Sequence, residues 1–346
     1  MAAAQALAQL DQFDAVIDAR SEGEFALDHL PGAQNWPTLH DDERITIGTL
    51  YKQVSPFEAR KLGGIAAARN IASNIEAHAL DKSRHWAPLA YCWRGGQRSG
   101  SLSMVLDQIG FKVTLVEGGY KAFRAAMLED IPLQAQRLQF DVVCGTTGCG
   151  KTRLLHALAA EGAQVLDLEG LANHRSSLLG AVPGLPQPTQ KRFDTLVWNT
   201  LRRFDATRPV YVESESKKIG NLTLPMALVE HMHASPCLQL SLPTEERIEL
   251  LLEDYSHLVH DTAYFCNRLD VMAEFRGKVV VQGWKDEVLA GNFRPVVQDL
   301  LSQHYDPSYL KSMQNNFRHF GNARSITARD RSPEAMRELA QALLAP

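Results

Sequence analysis

The amino-acid sequence predicts an α/β protein of two domains, each built on a parallel sheet. Short apolar runs with β character alternate with helix-like patterns along the first two thirds of the 346 residues, and this alternation is typical of parallel sheets. The chain is longer than one average domain, so two domains are expected. Its 45% hydrophobic and 22% charged residues are typical of folded globular proteins.

The first domain is expected to span residues 1–136. Three short apolar runs predict its buried strands: Phe13–Asp18, Pro88–Tyr91 and Lys112–Val116. A helix is expected over Ser99–Gly110, which opens with Ser and ends in Gly, and another over Tyr120–Leu128. The polar stretch Glu129–Arg137 contains Pro132 and is predicted to be a linker.

The second domain is expected to span residues 137–346. Its predicted strands are Leu138–Cys144, Ala163–Asp167 and Pro209–Glu213, and a helix is expected to begin at Thr152. After Pro243 the pattern becomes mostly helical, with predicted helices at Thr244–Leu258, Lys285–Ala290, Arg294–His304 and Pro333–Leu344. The second domain is therefore expected to be an α/β unit with a mostly helical C-terminal region.

Composition and cysteine spacing limit the cellular compartments in which the protein is expected. No Lys or Arg precedes an apolar core before Phe13, so no secretory signal is predicted, and no run of 18 apolar residues predicts a membrane span. The five cysteines lack CxxC or Cys/His spacing, which argues against a disulfide framework and a structural zinc site. We therefore expect a reducing, cytoplasmic setting. With a net charge of −4, an RNA partner would require cations gathered on one face.

A glycine-rich motif follows the first predicted strand of the second domain. Residues 145–152 fit G-x4-G-K-[ST] between a strand-like and a helix-like run, which is the context that a phosphate-binding P-loop requires. Successive N–H groups and the helix N-terminus attract phosphate oxygens, the lysine reaches the outer phosphate, and the threonine is able to ligate Mg²⁺. The predicted phosphate-binding residues are Gly145, Thr146, Thr147, Gly148, Cys149, Gly150, Lys151 and Thr152. The domain is thus predicted to be P-loop NTPase-like.

Two acidic pairs lie at the ends of predicted strands. Asp167 and Glu169 follow one strand, and Glu213 and Glu215 follow another. Carboxylates at such positions bridge metal ions or orient water in P-loop folds, although solvated charge at strand ends is an equally good interpretation. Neither pair follows a long apolar strand, so the sequence is compatible with Mg²⁺ but predicts no protein-bound metal.

A cysteine lies in a loop between a strand and a helix of the first domain. Cys92 is expected to face the helix N-terminus and backbone N–H groups, together with two guanidinium groups. These surroundings favour thiolate over thiol and would also hold an oxyanion. We therefore predict that Cys92 is catalytic and that the oxyanion-binding residues are Arg94, Gly95, Gly96 and Arg98.

Two chemistries fit this loop. One is transfer of sulfur or selenium, with Cys92 carrying a persulfide or selenopersulfide; the other is phosphate-ester hydrolysis, because Cys92 and Arg98 have the C-x5-R spacing of cysteine phosphatases. The flanking stretches favour transfer. Those that resemble a rhodanese domain are Asp18-Ala-Arg20, Glu24-Phe25, His29–Ala33 and Val116–Arg124. The loop is one residue longer than in most simple rhodaneses.

An N-terminal rhodanese-like parallel-sheet domain fused to a P-loop domain resembles the tRNA 2-selenouridine synthase family. The matching stretches are Tyr51–Gln53, Cys92–Gly96, Gly145–Thr152, Asp167–Arg175, Val212–Gly220 and His304–Pro307. Together with the rhodanese-like stretches, the resemblance extends from about residue 13 to about residue 310.

This resemblance implies a transferase that acts on tRNA. It implies that wobble 2-thiouridine is first S-geranylated with geranyl diphosphate, and that the S-geranyl group is then replaced with selenium from selenophosphate. Both donors are co-substrates, no tightly bound cofactor is implied, and a selenophosphate-producing enzyme is the implied donor partner. Cys92 would take up selenium, and the P-loop with Lys151 would hold the diphosphate. No membrane is involved.

Two other functions stay open from the residues alone. One is a P-loop kinase or NTPase whose rhodanese-like domain docks a partner, and the other is a Cys-dependent phosphatase fused to a P-loop regulator. If the partner is tRNA, its phosphates and bases should meet basic and aromatic side chains. The candidates are Lys191, Arg192, Arg202, Arg203, Lys217, Lys218, Tyr309, Lys311, Phe317, Arg318, Phe320 and Arg324.

Overall fold

The computed structural model describes residues 1–175, 180 and 184–345. The chain forms two compact units: unit 1 comprises Met1–Leu133 and Pro188–Asn199, and unit 2 comprises Gln134–Gln187 and Thr200–Pro346. Each unit contains a parallel sheet with helices, so the predicted α/β class is confirmed. Within the described ranges, no helix combines the length and hydropathy needed to span a bilayer.

The sheet of unit 1 has four parallel strands in the order β2-β1-β3-β4. The strands are β1 (Val16–Asp18), β2 (Ala33–Asn35), β3 (Leu89–Tyr91) and β4 (Thr114–Leu115). Three of them confirm predicted strands, each shorter than expected, whereas β2 was missed because it is a polar three-residue edge strand. Since β1 and β3 are neighbours, Asp18 and Cys92 emerge at the same edge of the sheet.

Six α-helices lie within residues 1–136. They are α1 (Ala3–Ala8), α2 (Glu22–Leu27), α3 (Asp41–Gln53), α4 (Pro56–His78), α5 (Gln97–Ile109) and α6 (Gly119–Gln136). The predicted start of α5 at Ser99 is wrong by two residues, since Gly96 occupies the cap position and Ser99 lies inside the first turn. The predicted end is confirmed, because Gly110 has a left-handed φ of 110° there.

The predicted linker at Glu129–Arg137 is wrong, because α6 continues through it as far as Gln136. The reason is a buried stripe with four-residue spacing: Phe123, Met127, Ile131 and Ala135 are all at most 2% exposed. Burying this stripe favours a continuous helix and offsets the cost, about 3 kcal/mol, of a proline in a helix interior. The predicted domain division at residue 136 falls in the last turn of α6.

The sheet of unit 2 has five parallel strands in the order β11-β10-β5-β7-β6. In chain order they are β5 (Phe140–Cys144), β6 (Gln164–Leu166), β7 (Val210–Glu213), β10 (Cys237–Ser241) and β11 (Arg324–Thr327), while β8 (Lys218–Ile219) and β9 (Leu222–Thr223) form a separate antiparallel pair. The predicted strands correspond to β5, β6 and β7. The central position of β5 places the loop after it between the carboxyl ends of its neighbours.

The remaining helices are α7 (Lys151–Ala160), α8 (Leu168–Ala172), α9 (Gln190–Leu201), α10 (Met226–His233), α11 (Thr244–Asp254), α12 (Ser256–His260), α13 (Thr262–Leu269), α14 (Ala273–Arg276), α15 (Lys278–Leu289), α16 (Phe293–Asp299), α17 (Asp306–Asn316) and α18 (Pro333–Leu344). A π-helical stretch, Leu300–Tyr305, joins α16 to α17. The mostly helical C-terminal region is therefore confirmed. It is interrupted by β11, which has a single buried residue and no apolar run to reveal it.

The segment Pro188–Asn199, which contains most of α9, packs within unit 1 although it lies far along the chain. The indole nitrogen of Trp198 donates to a carboxylate oxygen of Asp130 at 2.8 Å. Arg124 forms an ion pair with Asp194 at 2.6 Å. Unit 1 is therefore completed by a helix from the second half of the sequence.

Candidate functional site

Cys92 directly follows β3 and lies in the loop that leads into α5. It is 3% exposed and belongs to the same apolar cluster as Ala90 and Leu102. The hydroxyl of Ser99 donates a hydrogen bond to its sulfur, with an Oγ–Sγ distance of 3.1 Å. A donor at this position stabilises a thiolate more than a thiol. The sulfur is thus enclosed by apolar atoms on one side and hydrogen-bonded on the other.

The backbone after Cys92 packs tightly against the start of α6. Gly95 and Gly119 have φ values of +67° and +59°. A Cβ on Gly119 would lie 2.2 Å from the carbonyl oxygen of Cys92 and 2.5 Å from the amide nitrogen of Gly95. The amide of Tyr120 donates to the Cys92 carbonyl at 2.8 Å. Glycine is therefore required at both crossing positions.

The two predicted arginines of this loop have different surroundings. Arg98 donates from Nη1 to Oε2 of Glu24 at 2.6 Å, and Arg94 is exposed. Burial acts to raise the pKa of Glu24, but the hydrogen bond and charge of Arg98 outweigh it and hold that pKa below its ordinary value. An oxyanion bound at Cys92 would therefore share Arg98 with an ionised Glu24.

The rhodanese-like stretch Asp18-Ala-Arg20 contacts the two tyrosines next to Cys92. Asp18 and Arg20 are fully buried and form an ion pair at 2.6 Å. Asp18 also accepts a hydrogen bond from the hydroxyl of Tyr91 at 2.6 Å, and the Arg20 guanidinium lies 4.1 Å from the ring centre of Tyr120. Tyr91 and Tyr120 flank Cys92, so the ion pair fixes the two residues that position the loop.

The P-loop of unit 2 connects β5 to α7, as predicted. Gly148 and Gly150 have φ values of +78° and +90°, a left-handed conformation that glycine adopts without strain. Cys149 is completely buried in the apolar core of unit 2, so it serves as a small packing residue of the loop. The first-turn amides of α7 lack intrahelical partners, which leaves them available to phosphate oxygens.

The lysine of the P-loop contacts a tyrosine from α17. Nζ of Lys151 donates to the carbonyl of Gly145 at 2.8 Å and lies 5.3 Å from the ring centre of Tyr309. Burial acts to lower the pKa of Lys151, but its electrostatic surroundings, first Cys149 and Tyr309 and then Glu169 and Glu213, raise it above its ordinary value. The ammonium group therefore stays charged.

An arginine links the P-loop to the start of α17. Arg247, on α11, donates from Nη2 to the carbonyl of Thr147 at 2.8 Å. The same guanidinium forms a two-point ion pair with Asp306, with distances of 2.6 and 3.0 Å. Such planar pairing fixes orientation as well as position. The helical C-terminal region thus holds the P-loop at Thr147 through Arg247.

The acidic residues predicted at the strand ends lie together beside the P-loop. Thr152 donates to Oε2 of Glu169 at 3.1 Å, and the amide of Glu169 donates to Oε1 of Glu213 at 3.2 Å. Oxygens of Glu169, Glu213 and Glu215 all lie within 4.8 Å of one another. Asp167 instead caps α8 and pairs with His156 at 3.1 Å.

A cavity of about 1100 Å³ lies over the P-loop within unit 2. Its lining includes Lys151, Thr152, Glu169, Glu215, Lys217 and Lys218. A smaller pocket of about 50 Å³ shares Thr147, Leu251, Tyr255 and Tyr305 with it. Its lining is mainly aliphatic and aromatic and includes Leu258, Phe265 and Leu301. The site therefore combines a large cavity that contains the charged P-loop residues with a small apolar recess.

The structure separates the predicted RNA contacts into several groups. Lys217, Lys218 and Phe317 line the large cavity, and both Phe317 and Phe320 are at most 9% exposed and pack in unit 2. The hydroxyl of Tyr309 accepts a hydrogen bond from the amide of Gly145 in the P-loop. The ammonium of Lys191 lies 5.8 Å from the ring centre of Trp93 in unit 1.

Three residues with direct roles at these sites were not assigned those roles from the sequence. The sequence predicts that Ser99 opens a helix and that Tyr309 contacts RNA, and it indicates no role for Arg247. The sequence does carry a signal for Ser99, because a hydroxyl side chain seven residues after the cysteine lies close to it in the chain. No local signal marks Tyr309 or Arg247.

The two units together define a two-domain class of protein, a rhodanese-like unit with a loop cysteine joined to a P-loop unit. Residues 2–126 match the rhodanese-like domain family, and residues 138–281 match the family described as the tRNA 2-selenouridine synthase AAA domain.

Relatives extend this similarity along most of the chain. The tRNA 2-selenouridine synthase of Sulfurovum sp. (strain NBC37-1) is 33% identical over 347 residues, which cover 90% of this chain and 93% of the relative. The proteins of that name from Marinobacter nauticus and Nitrosomonas europaea are 37% and 36% identical over 69% of this chain, and the matches cover 65% and 63% of their lengths. The chain therefore belongs to the tRNA 2-selenouridine synthase family.

Proposed function

We propose that this protein is a transferase that converts wobble 2-thiouridine of tRNA to 2-selenouridine in two steps. Geranyl diphosphate first alkylates the sulfur, and selenium from selenophosphate then replaces the S-geranyl group. The relatives named tRNA 2-selenouridine synthase support an enzyme that acts on tRNA. A selenophosphate-producing enzyme would supply the selenium donor, and we expect both steps to take place in the cytoplasm.

The first step is assigned to the P-loop of unit 2. The sulfur of thiouridine attacks C1 of the geranyl group, and diphosphate leaves with the electron pair of the C–O bond. Lys151 and the amides of residues 145–152 would hold that leaving group. The observation that carries this assignment is the apolar recess that adjoins the P-loop at Thr147. At about 50 Å³ it would take the end of a hydrocarbon chain, not a nucleobase with several polar atoms to satisfy.

The second step is assigned to the Cys92 loop of unit 1. Selenium in selenophosphate is at the selenide level, so it displaces geranylthiolate at C2 without any oxidant, and hydrolysis of the Se–P bond releases phosphate. A selenopersulfide on Cys92 would instead require a two-electron oxidant. We propose that Arg94, Gly95, Gly96 and Arg98 hold the phosphoryl oxygens. The sulfur of Cys92 would attack phosphorus and break the Se–P bond, so that selenide is freed to displace geranylthiolate and the phosphoryl group on sulfur is then released as phosphate by water. The enclosed sulfur of Cys92 and the Ser99 donor support this role.

The test is a pair of reciprocal variants assayed on tRNA that carries 2-thiouridine. With Cys92→Ala, mass spectrometry of the nucleosides should find S-geranylated uridine but no selenouridine. With Lys151→Ala, S-geranylation should fall at least about 100-fold, because the diphosphate loses its charged partner as it leaves. Cys266→Ala and Lys278→Ala are the matched controls, and both should behave as the wild type does.

Two results would reject the proposal. Unchanged geranyl transfer in Lys151→Ala would remove the P-loop from the first step, and full selenation in Cys92→Ala would remove the cysteine from the second. Rapid ATP or GTP hydrolysis without tRNA, with Cys92 dispensable, would favour a kinase or NTPase instead. Turnover of aryl phosphates with vanadate inhibition would favour a phosphatase.

A further inference from the structure

Three glutamates converge beside the P-loop from two separate segments of the sequence. Glu169 lies in the first turn of α8, Glu213 ends β7, and Glu215 follows two residues later. Their ligand oxygens all lie within 4.8 Å of one another. Glu213 is completely buried and Glu215 is 4% exposed, so this cluster, unlike most surface acidic groups, is largely removed from water.

The cluster contains an oxygen whose bonding capacity is not used. Oε1 of Glu213 accepts the Glu169 amide hydrogen at 3.2 Å, whereas Oε2 is buried without a hydrogen-bond partner among the described residues. An unpaired buried polar atom costs about 1–3 kcal/mol, and a buried carboxylate costs more. The buried Oε2 of Glu213 therefore needs either a bound proton or a bound cation to compensate it.

We propose that Glu169, Glu213 and Glu215 bind a divalent cation of the Mg²⁺ or Mn²⁺ class. Carboxylate oxygens are the ligands these hard cations prefer, and such ions commonly keep water and phosphate oxygens in their remaining positions. Three protein ligands would leave room for both. A cation here neutralises the buried carboxylates and occupies the unpaired Glu213 oxygen.

The position of the cluster also indicates the role of the bound cation. Thr152, the last residue of the P-loop, donates to Oε2 of Glu169 at 3.1 Å, and Glu169 and Glu215 line the large cavity with Lys151. A bound divalent ion would therefore supply positive charge beside Lys151 where a diphosphate is held. This second part rests on the proposed diphosphate site, whereas binding of the cation itself does not.

The experiment titrates Mn²⁺ into the full-length protein without substrates and follows free Mn²⁺ by electron paramagnetic resonance. One equivalent should bind to the wild type. Affinity should fall at least about 10-fold in Glu213→Gln and Glu215→Gln, since each replaces a charged ligand with a neutral one of the same shape. Glu230→Gln, an exposed substitution on α10, is the matched control and should leave affinity unchanged.

A second measurement keeps the test valid if a variant folds poorly. Mn²⁺ should raise the Tm of the wild type and not that of Glu215→Gln, because only a ligand of the folded state stabilises it. Inorganic pyrophosphate should tighten Mn²⁺ binding several-fold in the wild type and less in Lys151→Ala.

Two outcomes would overturn the inference. If the wild type bound no Mn²⁺, or if Glu213→Gln and Glu215→Gln bound it as the wild type does, a proton would be what compensates the cluster. These results do not depend on geranyl transfer. A protein that fails to transfer geranyl yet binds Mn²⁺ through these glutamates rejects the proposed function alone, and the reverse result rejects the cation site alone.

Discussion

The hydroxyl of Tyr309 lies 2.6 Å from the amide nitrogen of Gly145 and accepts its hydrogen bond. The same hydroxyl is 2.7 Å from Oγ of Ser214, at the end of β7. One side chain of α17 therefore joins the first residue of the P-loop to the strand that carries Glu213. Burial raises the pKa of Tyr309 above its ordinary value, so the hydroxyl stays protonated and is able to donate to Ser214.

Replacing Tyr309 with phenylalanine should destabilise unit 2 without changing the shape of the ring. The variant leaves the Gly145 amide without its partner, and an unsatisfied buried donor costs about 1–3 kcal/mol. Urea unfolding should measure that loss, and hydrogen exchange at the Gly145 amide should become faster. Tyr264→Phe is the control because its side chain is 38% exposed. Equal stabilities of the two variants would show that the Tyr309 hydrogen bond contributes nothing.

A methyl group on Gly119 should disrupt the cysteine loop. The added Cβ would overlap the Cys92 carbonyl and the Gly95 amide, and a φ of +59° is strained for alanine. We expect Gly119→Ala to destabilise unit 1 by about 2 kcal/mol or more, and to reduce selenation while geranyl transfer remains. Thermal unfolding and nucleoside mass spectrometry provide the two measurements.

Gly64→Ala is the matched control for this strain. Gly64 lies inside α4, and its Cβ would meet no atom within 4 Å. Alanine is favoured over glycine in a helix interior by about 0.8–1 kcal/mol, so this variant should be more stable than the wild type. If Gly119→Ala were also stabilised, the close crossing at Cys92 would be contradicted.

The sequence predicts the parts of the site whose contacts are local. The P-loop and the cysteine loop each occupy a few consecutive positions, and their chemistry depends on residue types within the motif. By contrast, Tyr309 contacts Gly145 across 164 positions, and Arg247 contacts Thr147 across 100. Nothing near Tyr309 or Arg247 in the sequence indicates these contacts, because the fold of unit 2 creates them.

The same distinction between local and long-range contacts explains the elements of the fold that the sequence does not predict. Burial of the apolar stripe from Phe123 to Ala135 favours a helix as far as the end of α6. This burial outweighs the helix-breaking tendency of Pro132. The strand β11 has little apolar character, yet it forms a parallel pair with β10 in the completed sheet. In both cases tertiary packing overrides the local pattern.

Ser99→Ala should slow alkylation of Cys92 at neutral pH. The hydroxyl donates to the sulfur at 3.1 Å, and loss of about 1 kcal/mol of thiolate stabilisation corresponds to a rate about 5-fold lower. Iodoacetamide labelling followed by peptide mass spectrometry would measure Cys92 separately from the other cysteines. Ser103→Ala, on the same helix with its hydroxyl directed to Asp107, should label as the wild type does. An equal or faster rate in Ser99→Ala would exclude this hydrogen bond from the activation of Cys92.

His29 should lower the stability of unit 1 as the pH falls below about 6.5. Burial lowers the pKa of His29 from its ordinary value of 6.5, and its Nδ1 pairs with the carbonyl of Phe25 at 3.0 Å. In the window just below 6.5 the unfolded chain binds a proton that the folded chain does not, so unfolding becomes easier as the pH falls. At higher pH both states are neutral and this contribution to the pH dependence vanishes.

The measurement is urea unfolding of the wild type and His29→Asn between pH 7.5 and 5.5, followed by tryptophan fluorescence. Four of the five tryptophans, Trp36, Trp86, Trp93 and Trp198, lie in unit 1, so the signal reports mainly on that unit. The fall in the free energy of unfolding should be smaller in His29→Asn, because the asparagine does not titrate. One proton sets a ceiling of about 1.4 kcal/mol per pH unit for the difference in slope, and partial exposure of His29 should keep it well below that. Parallel curves would show that another group controls the acid sensitivity of unit 1.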